Sequence, residues 1–383
     1  MKVLLLTASF GDGHNQAAFA AAEALKKRNI KVRVVDYTEW LNPALRSFAK
    51  FSLIQGVQRA PVLYGLFYRS MSKLQSTSSL QRQLNHLGMA QMKRYLRAYE
   101  PSVVASTFPT PTGVMSELRE QGFTRVPSAA ILTDYTAHGQ WLQDHTDLYC
   151  TPTDAVACEL EAHSVPQERL AVTGIPIRSQ FSPQNSAAML RKRVSHRRDE
   201  HFRSDKPLVL VMGGGSGLLG DVAEWMDVME HVNLQFCVIC GRNERLYRRL
   251  QPLESNRVRI LGYTNEVDKW MAMADLIVTK PGGITVTEAL AMELPMLLLK
   301  PIPGQEEQNA AFALHAGVAR LASDVKAAGE FLQGLTVAPE TLSNMRAATR
   351  RMSVRGAADT IADLLVDLGE QYESRQDKGA WAT

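Results

Sequence analysis

No apolar run in this 383-residue chain approaches the eighteen or so residues that a membrane-spanning helix needs, so membrane contact is expected to be peripheral. The amino terminus does not read as a signal peptide either. The apolar stretch Val3 to Leu6 is short and leads to "GDGH" instead of a small-residue cleavage site, which predicts a cytoplasmic protein. Cysteine is scarce: of Cys150, Cys158, Cys237 and Cys240, the last two form one C-x-x-C in "LQFCVICGR". A zinc site needs a second ligand pair, and "FCVIC" reads as a buried strand ending at Gly241, so both are expected in the core. No D-x-D occurs, so a metal clamp on a diphosphate is not signalled and no metal ligand is expected. Net charge is only +4, which demands no bulk polyanion and predicts no nucleic-acid partner.

One local absence is large. Between Trp40 and Tyr99 there is no Asp or Glu, while Arg46, Lys50, Arg59, Arg69, Lys73, Arg82, Lys93, Arg94 and Arg97 are interleaved with apolar stretches such as "FAKFSLIQGVQ" and "APVLYGLFYRSM". Solvated helix faces normally mix charge signs. This insert, about 40–99, is therefore expected to lie in an anionic membrane surface, with Arg59, Phe67, Arg69 and Lys73 among its contacts. The bland alternative is a pair of core-packing helices with a basic solvated face.

Elsewhere strand and helix patterns alternate. Apolar runs at Val3 to Leu6, Val32 to Val35, Val103 to Ala105 and Ala129 to Leu132 recur in the second half at Leu208 to Met212, Phe236 to Cys240, Val258 to Leu261, Leu276 to Val278 and Met296 to Leu299. This predicts an α/β protein of two Rossmann-like domains, each a parallel sheet with helices on both faces, hinged near Gly174 to Pro183. A last helical stretch, Gly356 to Gln371, carries Ile361, Leu364, Leu365 and Leu368 on one face, and its tail "QDKGAWAT" is expected to fray.

Both halves open with a strand feeding a glycine turn, "LLLTASFGDG" and "LVLVMGGGSG". A dinucleotide fingerprint needs a third glycine and an acidic residue after the next strand. Asp36 ends "KVRVVD", but the third glycine position is Gln16, so an oxidoreductase is the weakest reading. In the second half, amides around Gly214, Gly215, Ser216 and Gly217 can approach a diphosphate, and the following helix end can stabilise it. Arg242 and Asn243 in "ICGRNERL", and Gly262 and Tyr263 in "LGYTNE", lie at the same expected sheet edge. In "TKPGGITVTEALAMELPMLL", the turn at Pro281, Gly282 and Gly283 starts a helix whose free amides include Ile284 and Thr285, and Glu288 can reach a ribose diol one turn on. Pro303, Gln305, Glu306 and Asn309 in "KPIPGQEEQNA" supply the donors and acceptors that sugar hydroxyls need.

These motifs, together with "LTASFGDGHNQAA", "LTDYTAHGQW", "VTGIPI", "GGGSG" and "CGRN", resemble the glycolipid-forming glycosyltransferases of bacteria and chloroplasts over nearly the whole chain. That family comprises the diacylglycerol glucosyltransferases and monogalactosyldiacylglycerol synthases; more distant is the N-acetylglucosaminyltransferase of peptidoglycan synthesis. The resemblance implies a GT-B fold with two Rossmann-like domains facing a central cleft: acceptor and membrane domain 1–176, UDP-sugar domain 177–355, and a helix in 356–383 crossing back to the first domain. It also implies inversion at the anomeric carbon. In that family the His of the glycine turn matters for activity, and it matches His14, placed by Gly13. A neutral imidazole can take the acceptor hydroxyl proton, with Asp134 in "LTDYTAH" a rival base or orienting partner. His138 and Trp141 are candidate acceptor-side residues. The expected activity is transfer of glucose, favoured over galactose, from a UDP-sugar to diacylglycerol or a glycosyl-diacylglycerol at the inner membrane face. The UDP-sugar is a substrate and no cofactor is expected. The alternatives are N-acetylglucosamine transfer to a polyprenyl-linked acceptor, epimerisation of a UDP-sugar, or a UDP-sugar sensor without turnover.

Overall fold

The computed structural model describes residues 1–9, 11–40, 79–181, 193, 195–214, 220–338 and 340–380, the side chains of 79–87 and 377–380 excepted. The chain divides into two compact units. The first comprises Met1–Arg178, Ile302–Gln305 and Gly356–Thr383, the second Ser179–Pro301 and Glu306–Arg355.

In the first unit, β1 (Lys2–Thr7) leads to α1 (Asp12–Lys27), β2 (Lys31–Asp36), α2 (Ser79–Tyr99), β3 (Val103–Ser106), α3 (Pro109–Glu120), β4 (Ser128–Ile131), β5 (Leu148–Thr151), α4 (Asp154–Ala162) and β6 (Leu170–Val172). All pair in parallel in the order β2-β1-β3-β4-β5-β6. Within KVLLLT the run Val3 to Leu6 is continuously apolar because both faces of β1 are covered. Val3 and Leu5 pack with Ala21 and Leu25 of α1, whereas Leu4 and Leu6 pack with Met92 and Leu96 of α2 and Met115 and Leu118 of α3. The alanine run of α1, fully buried at Ala17, Ala18 and Ala21, lets that helix lie close on the sheet.

The second unit repeats the plan with β7 (Leu208–Met212), α5 (Val222–His231), β8 (Gln235–Ile239), α6 (Glu244–Leu250), β9 (Val258–Leu261), α7 (Val267–Met273), β10 (Leu276–Thr279), α8 (Gly283–Ala291), β11 (Met296–Leu299), α9 (Gln305–His315), β12 (Ala319–Ala322), α10 (Val325–Leu335) and α11 (Glu340–Met352). Its sheet runs β12-β11-β10-β7-β8-β9, the order of a dinucleotide-type doubly wound fold. The first sheet instead has the flavodoxin-like order at its β1/β3 switch, so the two halves are related designs and not copies. Cys237 and Cys240 are buried in and beside β8, as their sequence setting implied, and burial raises both thiols, Cys240 to about 11.

The last helix, α12 (Ala357–Ala380), packs in the first unit: Ile361, Ala362 and Leu365 are fully buried beside Val3 and Leu25. Arg28 ties it down, its guanidinium donating to Asp363 at 2.6 Å and Asp359 at 2.9 Å. This helix continues to Ala380, past its expected end at Gln371 and into the tail from Gln376 expected to fray.

Candidate active site

Ligands of open α/β sheets bind outside the carboxyl ends of strands where the strand order reverses. In the first unit that point lies between β1 and β3, and the residues leaving those strands meet there. Gly11 is the N-cap of α1, in extended backbone at φ −162°, and no side chain caps the helix. Neither Gly11 nor Gly13 has a positive φ, and Gly13 already belongs to the first helical turn. These glycines therefore keep the turn free of side chains; they do not supply a left-handed bend. His14 follows in the same turn. From the end of β3, Thr107 Oγ1 donates to the His14 carbonyl at 3.0 Å, and the Phe108 ring meets the imidazole edge-on with centroids 5.1 Å apart. From the end of β4, Thr133 Oγ1 lies 3.0 Å from His14 Nδ1.

Burial lowers the His14 pKa below 6.5, more than the charge of Asp134 and the Thr107 carbonyl raise it. The imidazole is therefore neutral near pH 7, the state a general base requires. Asp134 acts on it as a negative charge. His138, half-buried in the same region, is pushed down to about 4 by burial and by His14. Trp141 is 3% exposed and packs with Leu132, Tyr149 and Leu160, so it serves as core and presents no surface to a membrane. Asp36 accepts from the Ser9 amide at 3.2 Å and from the Thr38 amide and hydroxyl at 2.8 and 2.7 Å. The carboxylate that a dinucleotide site would offer to ribose here holds the β1 loop instead. A cavity of about 450 Å³ opens on that flank, between Asn15, Phe19, Arg33 and Asp36, and His14 is not among its walls.

In the second unit the corresponding switch lies between β7 and β10. Gly214 leaves β7 with φ +69°, a conformation that favours glycine, while Gly215 and Ser216 lie outside the described residues. The helix after this turn differs from expectation. Asp221 caps α5, its carboxylate accepting from Ala223 N at 2.7 Å and Glu224 N at 3.3 Å. A negative charge already occupies that helix end, so a diphosphate would be repelled there.

The helix after β10 is the contrary case. Its N-cap is Gly282, which offers no side chain, and the first helical bond is Val286 N to Gly282 O at 2.9 Å. The amides of Gly283, Ile284 and Thr285 precede that bond and have no helical acceptor. A Cβ built on Gly282 would meet nothing within 4 Å, so the space before these amides is open. Pro281 and Glu288 are buried, Glu288 to 7%, and Asn309 of α9 is fully buried. Pro303, Gln305 and Glu306 are half-buried where β11 passes into α9. At the end of β9, Gly262 is open and Tyr263 is 55% exposed, with the Arg242 guanidinium 4.8 Å from its ring centroid. Asn243 plays a structural part, since its Oδ1 caps α6 by accepting from Leu246 N at 3.0 Å.

Arg59, Phe67, Arg69 and Lys73 lie outside the described residues. Sequence reasoning missed Thr107, Phe108, Thr133 and Asp221. The first two carried a usable signal, since they follow β3 as the glycine turn follows β1.

Among known proteins, residues 14–177 match the family Monogalactosyldiacylglycerol (MGDG) synthase, and residues 197–352 match Glycosyl transferases group 1. The processive diacylglycerol beta-glucosyltransferase of Staphylococcus saprophyticus is 33% identical over 90% of this chain and 87% of its own length. That of Bacillus thuringiensis is 30% identical over 96% and 93%. Among solved structures, Acinetobacter baumannii MurG aligns with TM-score 0.61 at 17% identity, over 96% of this chain and 99% of its own. The glycosyltransferase SnogD of Streptomyces nogalater aligns with TM-score 0.58 at 15% identity, over 96% and 99%. These two likenesses concern the fold, which is of the GT-B class.

Proposed function

This chain belongs to the family of the processive diacylglycerol beta-glucosyltransferases, and from that premise we propose that it transfers glucose from UDP-glucose to diacylglycerol, and to its glucosylated product, with inversion, at an anionic membrane surface. At the coarser level it is a UDP-sugar-dependent diacylglycerol glycosyltransferase. The relatives' names favour glucose as the sugar and more than one transfer.

The observation that carries the mechanism is His14, a neutral imidazole at the β1/β3 switch point. In this reading His14 takes the proton of the acceptor hydroxyl while that oxygen bonds to the anomeric carbon. The bond from that carbon to the diphosphate breaks, and its electron pair leaves with UDP. A single displacement of this kind inverts the anomeric centre. The uncapped helix end at Gly283, Ile284 and Thr285 takes up the charge of the diphosphate, the role a metal would fill elsewhere. Glu288 and Gln305 are the ribose and sugar contacts in this reading.

The test is direct. The protein is incubated with diacylglycerol micelles and either UDP-glucose or UDP-galactose, and the lipid products are resolved chromatographically. Mono- and diglucosyl lipid from UDP-glucose alone is expected, and His14→Ala should abolish it. No glycolipid from either donor would overturn the reading.

A further inference from the structure

Thr133 leaves β4 two residues after Ile131 and is 4% exposed, a polar side chain in a well-packed place. Its hydroxyl, 3.0 Å from His14 Nδ1, can engage the ring in two ways. As donor it would fill the Nδ1 lone pair and force the ring proton onto Nε2, leaving no base. As acceptor it would hold the proton on Nδ1 and leave the Nε2 lone pair for the substrate. The second is the state a base requires: Thr133 occupies Nδ1, so Nε2 is the nitrogen left for the substrate, and the hydroxyl can rotate to accept.

We propose that Thr133 is a positioning residue for the transfer reaction: its oxygen accepts the Nδ1–H of His14, fixing the tautomer whose Nε2 receives the acceptor hydroxyl proton. This rests on His14 being the base, as read above. After transfer the imidazolium carries a proton on each nitrogen, and the Nδ1–H bond to Thr133 is unchanged. The ring therefore does not turn during the cycle.

Ring nitrogen shifts decide the matter without reference to turnover. In protein with nitrogen-labelled histidine at pH 8, the His14 signals are identified by their loss in His14→Gln. The wild type and Thr133→Ser should show a protonated Nδ1 and an unprotonated Nε2, and Thr133→Val, close in shape but without the hydroxyl, should shift toward Nε2–H. Loss of the outer partner of a metal-ligating histidine costs about 10- to 100-fold, and a loss of similar size is expected here. Thr133→Val should show that loss in kcat with KM for UDP-glucose unchanged, and Thr133→Ser should restore kcat to within a few-fold. A wild-type ring protonated on Nε2 overturns the proposal even where Thr133→Val fails to fold. So does a Thr133→Val enzyme of unaltered tautomer and kcat while His14→Ala is inactive. Product formation by His14→Ala would instead overturn the base itself.

Discussion

At His14 two influences oppose each other: burial disfavours the imidazolium, and the Asp134 carboxylate with the Thr107 carbonyl favours it. Burial is the larger. Activity should accordingly fall on acidification only below pH 6.5, as protons fill the base. Asp134→Asn removes the charge that raises this pKa, so the acid limb of the pH profile of kcat/KM should move to still lower pH. A limb that moves upward would contradict the assignment of that carboxylate, and activity lost at every pH would make Asp134 the base in place of His14. The residue types here are legible in part. A histidine in a glycine turn after a strand is a rare pattern and stands out in the sequence; a threonine after a strand is ordinary, and only the register of β4 turns Thr133 toward the ring. The same holds for Asp221, whose capping of α5 depends on where the helix starts and not on which residues are near.

At the scale of elements, strands buried on both faces read plainly from sequence, such as LVLVM of β7, buried throughout; β2 is legible instead through its alternation, with Lys31 and Arg33 exposed between half-buried valines. β5, β6 and β12 were not foreseen. β6 is only LAV with no buried residue, and β12 is the four-residue ARLA with its two middle residues exposed; these two lie at sheet edges, where one face needs no apolar cover, while β5 is the short LYCT inside its sheet. Helix contacts were hidden as well. On α10, a Cβ at Gly329 would come to 2.7 Å from Val228 Cγ2 of α5, and a β-branched side chain held in a core cannot swing away. Overpacking costs about 1–3 kcal/mol, against a helix-propensity gain of about 1 kcal/mol for alanine. Gly329→Ala should thus lower the stability of the second unit in urea titration, and less so in a Val228→Ala background; a gain in the single variant would show that the helices part freely. Asp275, at the entrance of β10, gathers Arg193, Arg197 and Arg346 and accepts from Leu208 N at 2.8 Å. Burial and the neighbouring Arg346 push Arg197 down to about 10. Removing the shared carboxylate leaves these guanidiniums without their counter-charge, so Asp275→Ala should cost about 3–5 kcal/mol in the same measurement; a loss below about 1 kcal/mol would mean that backbone carbonyls such as that of Met273, which accepts from Arg197 at 2.6 and 2.8 Å, are enough.

For the whole molecule, a water-soluble donor and a lipid acceptor impose different demands, and the chain separates them in sequence. The second unit has the uncapped helix end suited to a diphosphate, while the first has the histidine and, between Trp40 and Tyr99, a stretch without any carboxylate. Charge asymmetry of this size is legible from the sequence alone, because composition needs no register. Each basic residue near an anionic lipid surface contributes about 1 kcal/mol, so reversing three of them should weaken binding at least about 100-fold. The variant carrying Arg59→Glu, Arg69→Glu and Lys73→Glu is therefore expected to stop cosedimenting with phosphatidylglycerol vesicles at low salt while binding UDP in calorimetry as the wild type does. Raising ionic strength should weaken the wild type in the same direction, since exposed charges are screened beyond about 10 Å at 0.1 M salt. The split between the two readouts is the decisive part. Met92 and Leu96 of α2 already pack in the core, so equal vesicle binding by the variant would assign the rest of the insert to the core-packing alternative too, and a parallel loss of UDP binding would show that the substitutions disturb the fold and not a lipid contact.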